Sequence, residues 1–385
     1  MLLGVDIRCL QDQLLTGVGE YTWRILQALK ALKPGVELAG FGSAVKDMHL
    51  PPGVPEIMKV VRSRWPNKLK NLVYSWGWAE PLDLTISRQV GPLDACWLPN
   101  PNFARFSGRV PVVITVHDLS WLRWPEFFRR RPRLWYFPAV VKLLNNGLPP
   151  QSKVVAVSQH TADDIINFFP HLQNRLQIIS PGVGPEFTDK PSAARLAKVR
   201  SEYRLPEKFI LSMGTIEPRK NYRLLLQAYQ FILNRQPSYQ YDLVIAGGWG
   251  WRYRSLIKLY RSLPTRTQQR IHWLGYVSEA DKPALYHAAT LFVYPSFYEG
   301  FGIPPLEAMA SGLPVLVSHS SSLPEVVGEA GLMLSPYGVG LWAELIQQLT
   351  NDQVWAAELG QRGRERAQKF TWQKSAQAYY DLFTR

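Results

Sequence analysis

Leu291-Phe292-Val293-Tyr294-Pro295 is a short apolar run that stops at a proline, and together with the glycine-rich segment after it constrains the fold more than any other stretch of the chain. A run of this length and character suits a buried parallel strand, with the proline ending its pairing. Phe297-Tyr298-Glu299-Gly300-Phe301-Gly302 then reads as a loop at the strand's carboxyl end, where glycines let backbone N–H groups approach an anion. Pro304 or Pro305 suits the first helical position, Leu306, Met309 and Ala310 repeat at helical spacing, and Gly312 is placed to cap the helix end. Glu307 then falls in the first helical turn. Glu299 and Glu307, eight positions apart in sequence, could converge on one crevice. A strand, a glycine loop and a helix whose acid favours its own dipole would look the same, so the bare pattern leaves both readings open.

Similar strand, turn and helix signals recur along the chain, and 385 residues exceed the roughly 250 to 300 at which single cores stop growing. Two α/β domains are expected. Met1-Leu2-Leu3-Gly4-Val5-Asp6 meets a charge too early for a signal peptide and reads as a first strand. Thr16-Gly17-Val18-Gly19-Glu20-Tyr21 follows as a glycine turn, after which Ile25, Leu26, Leu29 and Leu32 mark one helix face. Residues 36–41, 57–61 and 94–98 supply further short strands. Pro111-Val112-Val113-Ile114-Thr115-Val116 is the clearest strand of the first half and ends in His117-Asp118, a polar pair facing the crevice where parallel sheets bind ligands. By position alone that histidine is as readily structural. Lys153-Val154-Val155-Ala156-Val157-Ser158 leaves Ser158 at the crevice edge, with Thr161 as N-cap of a helix whose first turn carries Asp163 and Asp164.

In the second half, residues 209–215 open the second domain with a strand that brings Gly214 to its carboxyl end, and a helix is expected from about 222 to 233. Between them, Arg219 and Lys220 occupy a strand-to-helix junction. Adjacent cations are ordinarily a solvated pair, but at such a junction they can neutralise a diphosphate without a metal. Residues 242–248, 271–277 and 314–318 read as further strands, 341–369 as helices, and Trp372, Ala376, Tyr379 and Phe383 outline a terminal helix.

The chain has 44 Lys and Arg against 30 Asp and Glu, a formal net charge of +14, which implies acidic partners. No nucleic-acid module is found; a phosphate-bearing substrate and an anionic membrane surface account for the sign without one. Basic and aromatic residues interleave at 61–78 and again at 123–136, where Arg129-Arg130-Arg131-Pro132-Arg133 is the densest cluster. These are either solvated helices or surfaces that set tryptophan at a lipid interface and cations on anionic headgroups. No run approaches the roughly 18 apolar residues that would cross a bilayer. Cys9 and Cys96 lack the spacing of a metal or disulfide site, so buried thiols in a reducing cytoplasm are expected.

E-G-F-G-I-P-P-L-E-A-M-A-S-G-L-P-V-L-V, beginning at Glu299 and followed by Ser322-Leu323-Pro324-Glu325-Val326 and Ala330-Gly331, closely resembles the retaining glycosyltransferases of family 4. G-T-x-x-P-R-K-N from Gly214, T-V-H-D ending at Asp118 and G-V-G-x-Y from Gly17 resemble the same family, bacterial mannosyltransferases in particular. The resemblance implies the GT-B architecture, α/β with two Rossmann-like domains and a deep interdomain cleft. Its expected parts are an acceptor-binding domain at 1–187, a nucleotide-sugar-binding domain at 188–369 and a helix at 370–385 packing back on the first domain. It implies that Glu299 contacts the donor sugar, that Glu307 holds the ribose, and that Arg219 and Lys220 stabilise the diphosphate beside Gly214. Gly300, Phe301, Gly302 and Ile303 line the donor, Gly17 and Gly19 lie near its diphosphate, and Tyr276 and Val277 sit beside the nucleobase. His117 approaches the sugar next to the anomeric carbon, with Asp118 and Ser158 on the acceptor side, while Glu325 helps hold the donor loop.

The implied reaction is hexosyl transfer with retention, mannose and GDP-mannose favoured, to a hydroxyl of a saccharide or lipid-linked acceptor. A donor phosphate oxygen would take the acceptor proton. No D-x-D is found, so no metal and no cofactor are expected. The expected location is the cytoplasm, with peripheral attachment at the inner membrane leaflet. A non-catalytic nucleotide-sugar-binding scaffold or regulatory subunit of a polysaccharide assembly is the alternative.

Overall fold

A computed structural model describes residues 1–11, 15–43, 48–63, 80–128 and 130–384. Of the two basic and aromatic stretches, residues 64–78 and Arg129 lie outside the described residues, as do the side chains of Arg130, Arg131 and Trp135. The chain forms two compact units: one of Met1–Arg123, Arg130–Gly182 and Thr371–Arg385, the other of Trp124–Arg129 and Val183–Phe370.

Among the described residues, the first unit carries a seven-stranded sheet of β1 (Leu2–Asp6), β2 (Glu37–Ser43), β3 (Lys59–Ser63), β4 (Ala95–Leu98), β5 (Val112–Val116), β6 (Lys153–Ala156) and β7 (Leu176–Ile178). Every pairing is parallel, in the order β3-β2-β1-β4-β5-β6-β7. β5 is buried along its whole length, as its β-branched run requires of a strand covered on both faces. Its helices include α1 (Gly17–Leu32), α2 (Leu82–Val90), α3 (Ser120–Arg123), α4 (Arg130–Lys142) and α5 (Gln159–Phe168). Strand order reverses between β1 and β4, so the carboxyl ends of β1, β4 and β5 border the crevice that doubly wound sheets use for ligands.

Local signals were shifted at two helix starts. Thr16 caps α1 by accepting from Gly19 N at 3.4 Å, which puts Gly17 and Gly19 inside the first helical turn rather than in a loop before it. α5 is capped by Ser158, whose Oγ accepts from Thr161 N at 3.0 Å, so Thr161 lies within the helix and no acid occupies its first turn. A serine three residues ahead of a threonine meets the capping geometry first, and Gln159 and His160 continue the helix without strain.

The second unit repeats the design. β8 (Phe209–Met213), β9 (Asp242–Ala246), β10 (Ile271–Gly275), β11 (Leu291–Tyr294), β12 (Val315–Ser318) and β13 (Leu332–Leu334) form a parallel sheet in the order β10-β9-β8-β11-β12-β13. It is covered by α6 (Ala193–Glu202), α7 (Tyr222–Arg235), α8 (Arg254–Ser262), α9 (Lys282–Ala288), α10 (Ile303–Ala310), α11 (Leu323–Val327), α12 (Val339–Asn351) and α13 (Gln353–Ala367). α7 buries Leu225, Tyr229 and Ile232 in a core shared with Leu243, Ile245 and Val293 of the sheet and Trp342 and Ile346 of α12. Burial of each such side chain stabilises the unit by about 1.5–3 kcal/mol. Here the order reverses between β8 and β11, whose carboxyl ends carry the two loops richest in charged motif residues.

α10 starts before its prolines. Gly302, at φ +117°, is the N-cap and Ile303 the first helical residue, so Glu307 falls in the second turn and not the first. A side chain at 302 would also meet Leu323 Cδ2 at 2.8 Å. At the other end Gly312, at φ +73°, donates to Met309 O at 2.9 Å while Leu313 N donates to Ala308 O at 3.0 Å, the paired closure of a Schellman motif.

The last helix, α14 (Trp372–Phe383), is capped by Thr371 and belongs to the first unit, where it packs along α1. Cys96 is buried, Cys9 is half-buried, and both are free thiols. No helix among the described residues is long and apolar enough to cross a membrane.

Candidate active site

β8 delivers Gly214, at φ +151°, and then the turn Pro218–Lys220, after which Asn221 in the left-handed region starts α7. β11 delivers the loop that holds Glu299. The two loops are joined by backbone and side chain: Phe297 N donates to Arg219 O at 2.8 Å, and Arg219 Nη1 donates to Tyr298 O at 2.7 Å and to Glu299 Oε2 at 2.9 Å. Lys220 Nζ donates to Glu299 Oε1 and Oε2 at 2.7 and 2.9 Å and to the Tyr294 hydroxyl. Glu217 accepts from Arg219 Nε at 3.0 Å and lies 2.7 Å from its Nη2. Two carboxylates and two cations thus form one cluster at the β8/β11 switch point, in which Glu217, Lys220 and Glu299 are buried and Arg219 is half-buried.

The cluster's electrostatics follow from its composition. Burial alone would push the Glu299 carboxyl up, but the charges of Arg219 and Lys220 outweigh it and hold the group at about 2. Glu217 is raised from its ordinary value because burial, helped by the neighbouring charge of Glu299, outweighs the pull of Arg219 and Lys220. Burial lowers Lys220, opposed by Glu299. Glu299 is therefore ionised at neutral pH and is the partner that keeps Lys220 charged.

Glu307 is also buried, and its Oε2 accepts from Tyr286 Oη of α9 at 2.8 Å. Tyr286 Oη also lies 3.3 Å from Met213 Sδ, so one hydroxyl links this carboxyl to the last residue of β8. Tyr276 is exposed at the carboxyl end of β10 while Val277 is buried. Gly300, Phe301, Gly302 and Ile303 run from Glu299 into α10.

A row of serines at and beyond the end of β12 holds this loop. Ser321 Oγ accepts from Glu299 N at 2.7 Å, Ser322 Oγ donates to Glu299 O at 3.0 Å and Phe301 O at 2.6 Å, and Ser318 and Ser320 donate to Ser296 O and Phe297 O. Ser321 sits at φ +51°, a backbone conformation a non-glycine residue keeps only when its surroundings enforce it.

In the first unit, His117 follows β5 and its Nε2–H donates to Pro99 O at 2.8 Å, since a carbonyl can only accept. Burial lowers its pKa, so the ring is neutral and Nδ1 carries the lone pair. Asp118 Oδ1 accepts from Ser120 N and Oγ at 3.1 and 2.6 Å, starting α3. Ser158, placed on the acceptor side from sequence, is fully buried and spends its hydroxyl on the α5 cap. Gly19 is buried against Cys9 O, which a side chain would approach to 2.8 Å, whereas Gly17 has open space around it. Sequence reasoning missed one pair: Arg8 Nε and Nη2 grip both oxygens of Asp6 at the end of β1, and Nη2 donates to Phe103 O at 2.8 Å. Opposite charges two residues apart directly after an apolar strand were the available signal.

Residues 15–187 match the family model described as Glycosyltransferase Family 4, and residues 197–369 match that described as Glycosyl transferases group 1. The O-antigen chain mannosyltransferase B of Escherichia coli is 33% identical over 370 residues, covering 93% of each chain. A serotype-specific mannosyltransferase WbdA of Escherichia coli is 35% identical over 234 residues, which is 60% of this chain but only 28% of that longer one. Among solved structures, Anabaena Alr3699/HepE in complex with UDP and glucose superposes with a TM-score of 0.74 at 20% identity, covering 100% of this chain and 99% of that one. WaaG, a glycosyltransferase involved in lipopolysaccharide biosynthesis, does so with a TM-score of 0.75 at 16% identity over 100% of both chains. The parallel sheets, their order and these matches together make the chain a member of the family 4 glycosyltransferases, built on the GT-B fold.

Proposed function

We propose that the chain is a retaining mannosyltransferase that moves mannose from GDP-mannose to a hydroxyl of a growing cell-surface saccharide or glycolipid. The observation that carries this reading is the Arg219–Lys220–Glu299 ion cluster at the β8/β11 switch point, in a chain 33% identical to an O-antigen mannosyltransferase over nearly its full length. When the donor binds, its diphosphate takes over the hydrogen-bond donors of Arg219 and Lys220, and Glu299 is released to accept from hydroxyls of the hexose. The same two cations stabilise the charge that develops on the leaving diphosphate, without a metal. Glu307, held by Tyr286, accepts from the ribose hydroxyls, and Tyr276 and Val277 border the base.

Neutral His117 meets the donor sugar near its anomeric carbon and Asp118 faces the acceptor. Transfer follows a front-face, oxocarbenium-like path in which a donor phosphate oxygen takes the acceptor proton, so no enzyme nucleophile is needed. The enzyme works in the cytoplasm at the inner membrane leaflet, where the basic helix α4, with Leu134 exposed at its surface, faces anionic headgroups. Incubation of the purified protein with a panel of nucleotide sugars, with and without a mannose-containing acceptor, tests the reading. GDP release from GDP-mannose that rises with acceptor is expected, together with an α-linked product by NMR. Tight nucleotide-sugar binding with no turnover of any donor would make it a binding scaffold instead.

A further inference from the structure

Trp97, Thr115, Tyr379 and Tyr21 are all buried, and their polar atoms form one chain through the first unit. Trp97 Nε1 donates to Thr115 Oγ1 at 3.0 Å, Thr115 Oγ1 lies 2.6 Å from Tyr379 Oη, and Tyr379 Oη lies 2.9 Å from Tyr21 Oη. The four groups come from β4, β5, α14 and α1, so the last helix of the chain is tied by hydroxyls to the first. Packing alone does not call for this. A phenylalanine at 379 would fill the same space between Trp97 and Phe383, whose ring centroids lie 5.0 and 5.8 Å from that of Tyr379. Buried hydroxyls are tolerated only when partnered, and a fully partnered network fixes its members in one arrangement.

The far end of this network touches His117. The Tyr21 ring meets the imidazole edge-on, with centroids 4.8 Å apart and planes at 90°, and is backed by Trp372 at 5.7 Å. The hydrogen bond from Nε2 to Pro99 O tethers one nitrogen, but the outer torsion of histidine is intrinsically broad, so the ring can still rock about the Cβ–Cγ bond. A perpendicular ring pressed against it removes that freedom. The direction of the lone pair on Nδ1 is thus set by Tyr21, and Tyr21 is held by Tyr379.

We propose that Tyr379 on the terminal helix is a positioning residue for His117: its hydroxyl fixes Tyr21, and Tyr21 fixes the plane of the imidazole. The inference rests on the glycosyl-transfer reading, in which that imidazole meets the donor sugar. Because Tyr379 belongs to the first unit and the nucleotide-binding cluster to the second, its loss should affect the chemical step and leave nucleotide affinity alone.

The test compares the full-length wild type with Tyr379→Phe, Tyr21→Phe and the double variant. Each single variant should lower kcat about tenfold, the scale on which small misplacements act, with KM for the donor within about twofold. The double variant should be no slower than either single one, since both break the same link. The ring-nitrogen NMR resonances of His117 should shift in both. Unchanged kcat, losses that multiply in the double variant, a matching loss of donor affinity, or unmoved His117 resonances would each overturn the proposal; a lower melting temperature alone would leave Tyr379 an ordinary core residue. If Tyr379→Phe does not fold, Tyr21→Phe carries the same readouts. A wild type that transfers no sugar would sink the glycosyl-transfer reading, while the resonance comparison would still decide whether Tyr379 positions the ring.

Discussion

Glu299→Gln removes one negative charge from a cluster in which Lys220 is only 8% exposed. Burial by itself favours the protonated carboxyl, yet Arg219 and Lys220 hold it at about 2 against an ordinary 4.5. At about 1.4 kcal/mol for each tenfold in the ionisation constant, this depression is worth about 3 kcal/mol of stability at neutral pH. Leaving Lys220 without its partner costs a similar amount, about 3–5 kcal/mol; the two figures describe one interaction from its two ends and are not added. The folded-state value lies below the unfolded one, so the contribution is fully present above pH 4.5 and is lost as pH falls towards about 2. Urea unfolding should therefore show the variant less stable by about 3 kcal/mol at pH 7, with the gap to the wild type closing steadily below pH 4.5. An unchanged midpoint at pH 7, or a gap that stays constant down to pH 2.5, would refute the electrostatic account of the cluster.

Glu307→Gln should weaken binding of the bare nucleoside diphosphate, whereas Glu299→Gln should mainly impair sugar transfer; calorimetry with GDP checks this, and equal losses of affinity would contradict the division of labour. Ser322→Ala leaves the carbonyls of Glu299 and Phe301 without a donor, so it should destabilise the protein by about 1–3 kcal/mol and lower donor affinity, read by thermal unfolding and nucleotide titration. Reversing charge at Arg130, Arg131 and Arg133 should reduce sedimentation with anionic liposomes in a salt-dependent way, and equal binding to neutral and anionic vesicles would make α4 ordinary solvated surface.

The second unit was the more legible half, because its chemistry is written in contiguous stretches. The apolar run at 291–294 is a strand, the glycine loop follows it and a helix follows the loop, in the order the sequence predicts, although the helix starts earlier than its proline signal. Arg219 and Lys220 were placed correctly at the end of β8, but their partner was not readable. That they close on Glu299, 80 and 79 positions away, depends on β11 lying beside β8, and strand order is a property of the whole sheet. The serine clamp went unseen because Ser318, Ser320, Ser321 and Ser322 look like any polar loop until the carbonyls they serve are known.

Boundary errors had local causes. Gly302 can cap α10 in a left-handed conformation, so the helix begins before the proline signal, and two candidate caps competed at Ser158 and Thr161. The network from Trp97 to Tyr21 joins residues up to 358 positions apart and leaves no pattern in the sequence. The placement of Trp124–Arg129 with the second unit, between two stretches of the first, is equally non-local.

Mannose transfer from GDP-mannose in excess EDTA, compared between the wild type, Arg219→Ala and Lys220→Ala, tests the central claim most directly. Each cation removed should cost about 2–4 kcal/mol of transition-state stabilisation, a fall of roughly thirty- to a thousandfold in turnover, with the fold intact by circular dichroism. The account expects a wild type fully active in EDTA and both variants slowed on this scale. Full activity in both variants, or a wild type that works only when Mn²⁺ is added back, would contradict it.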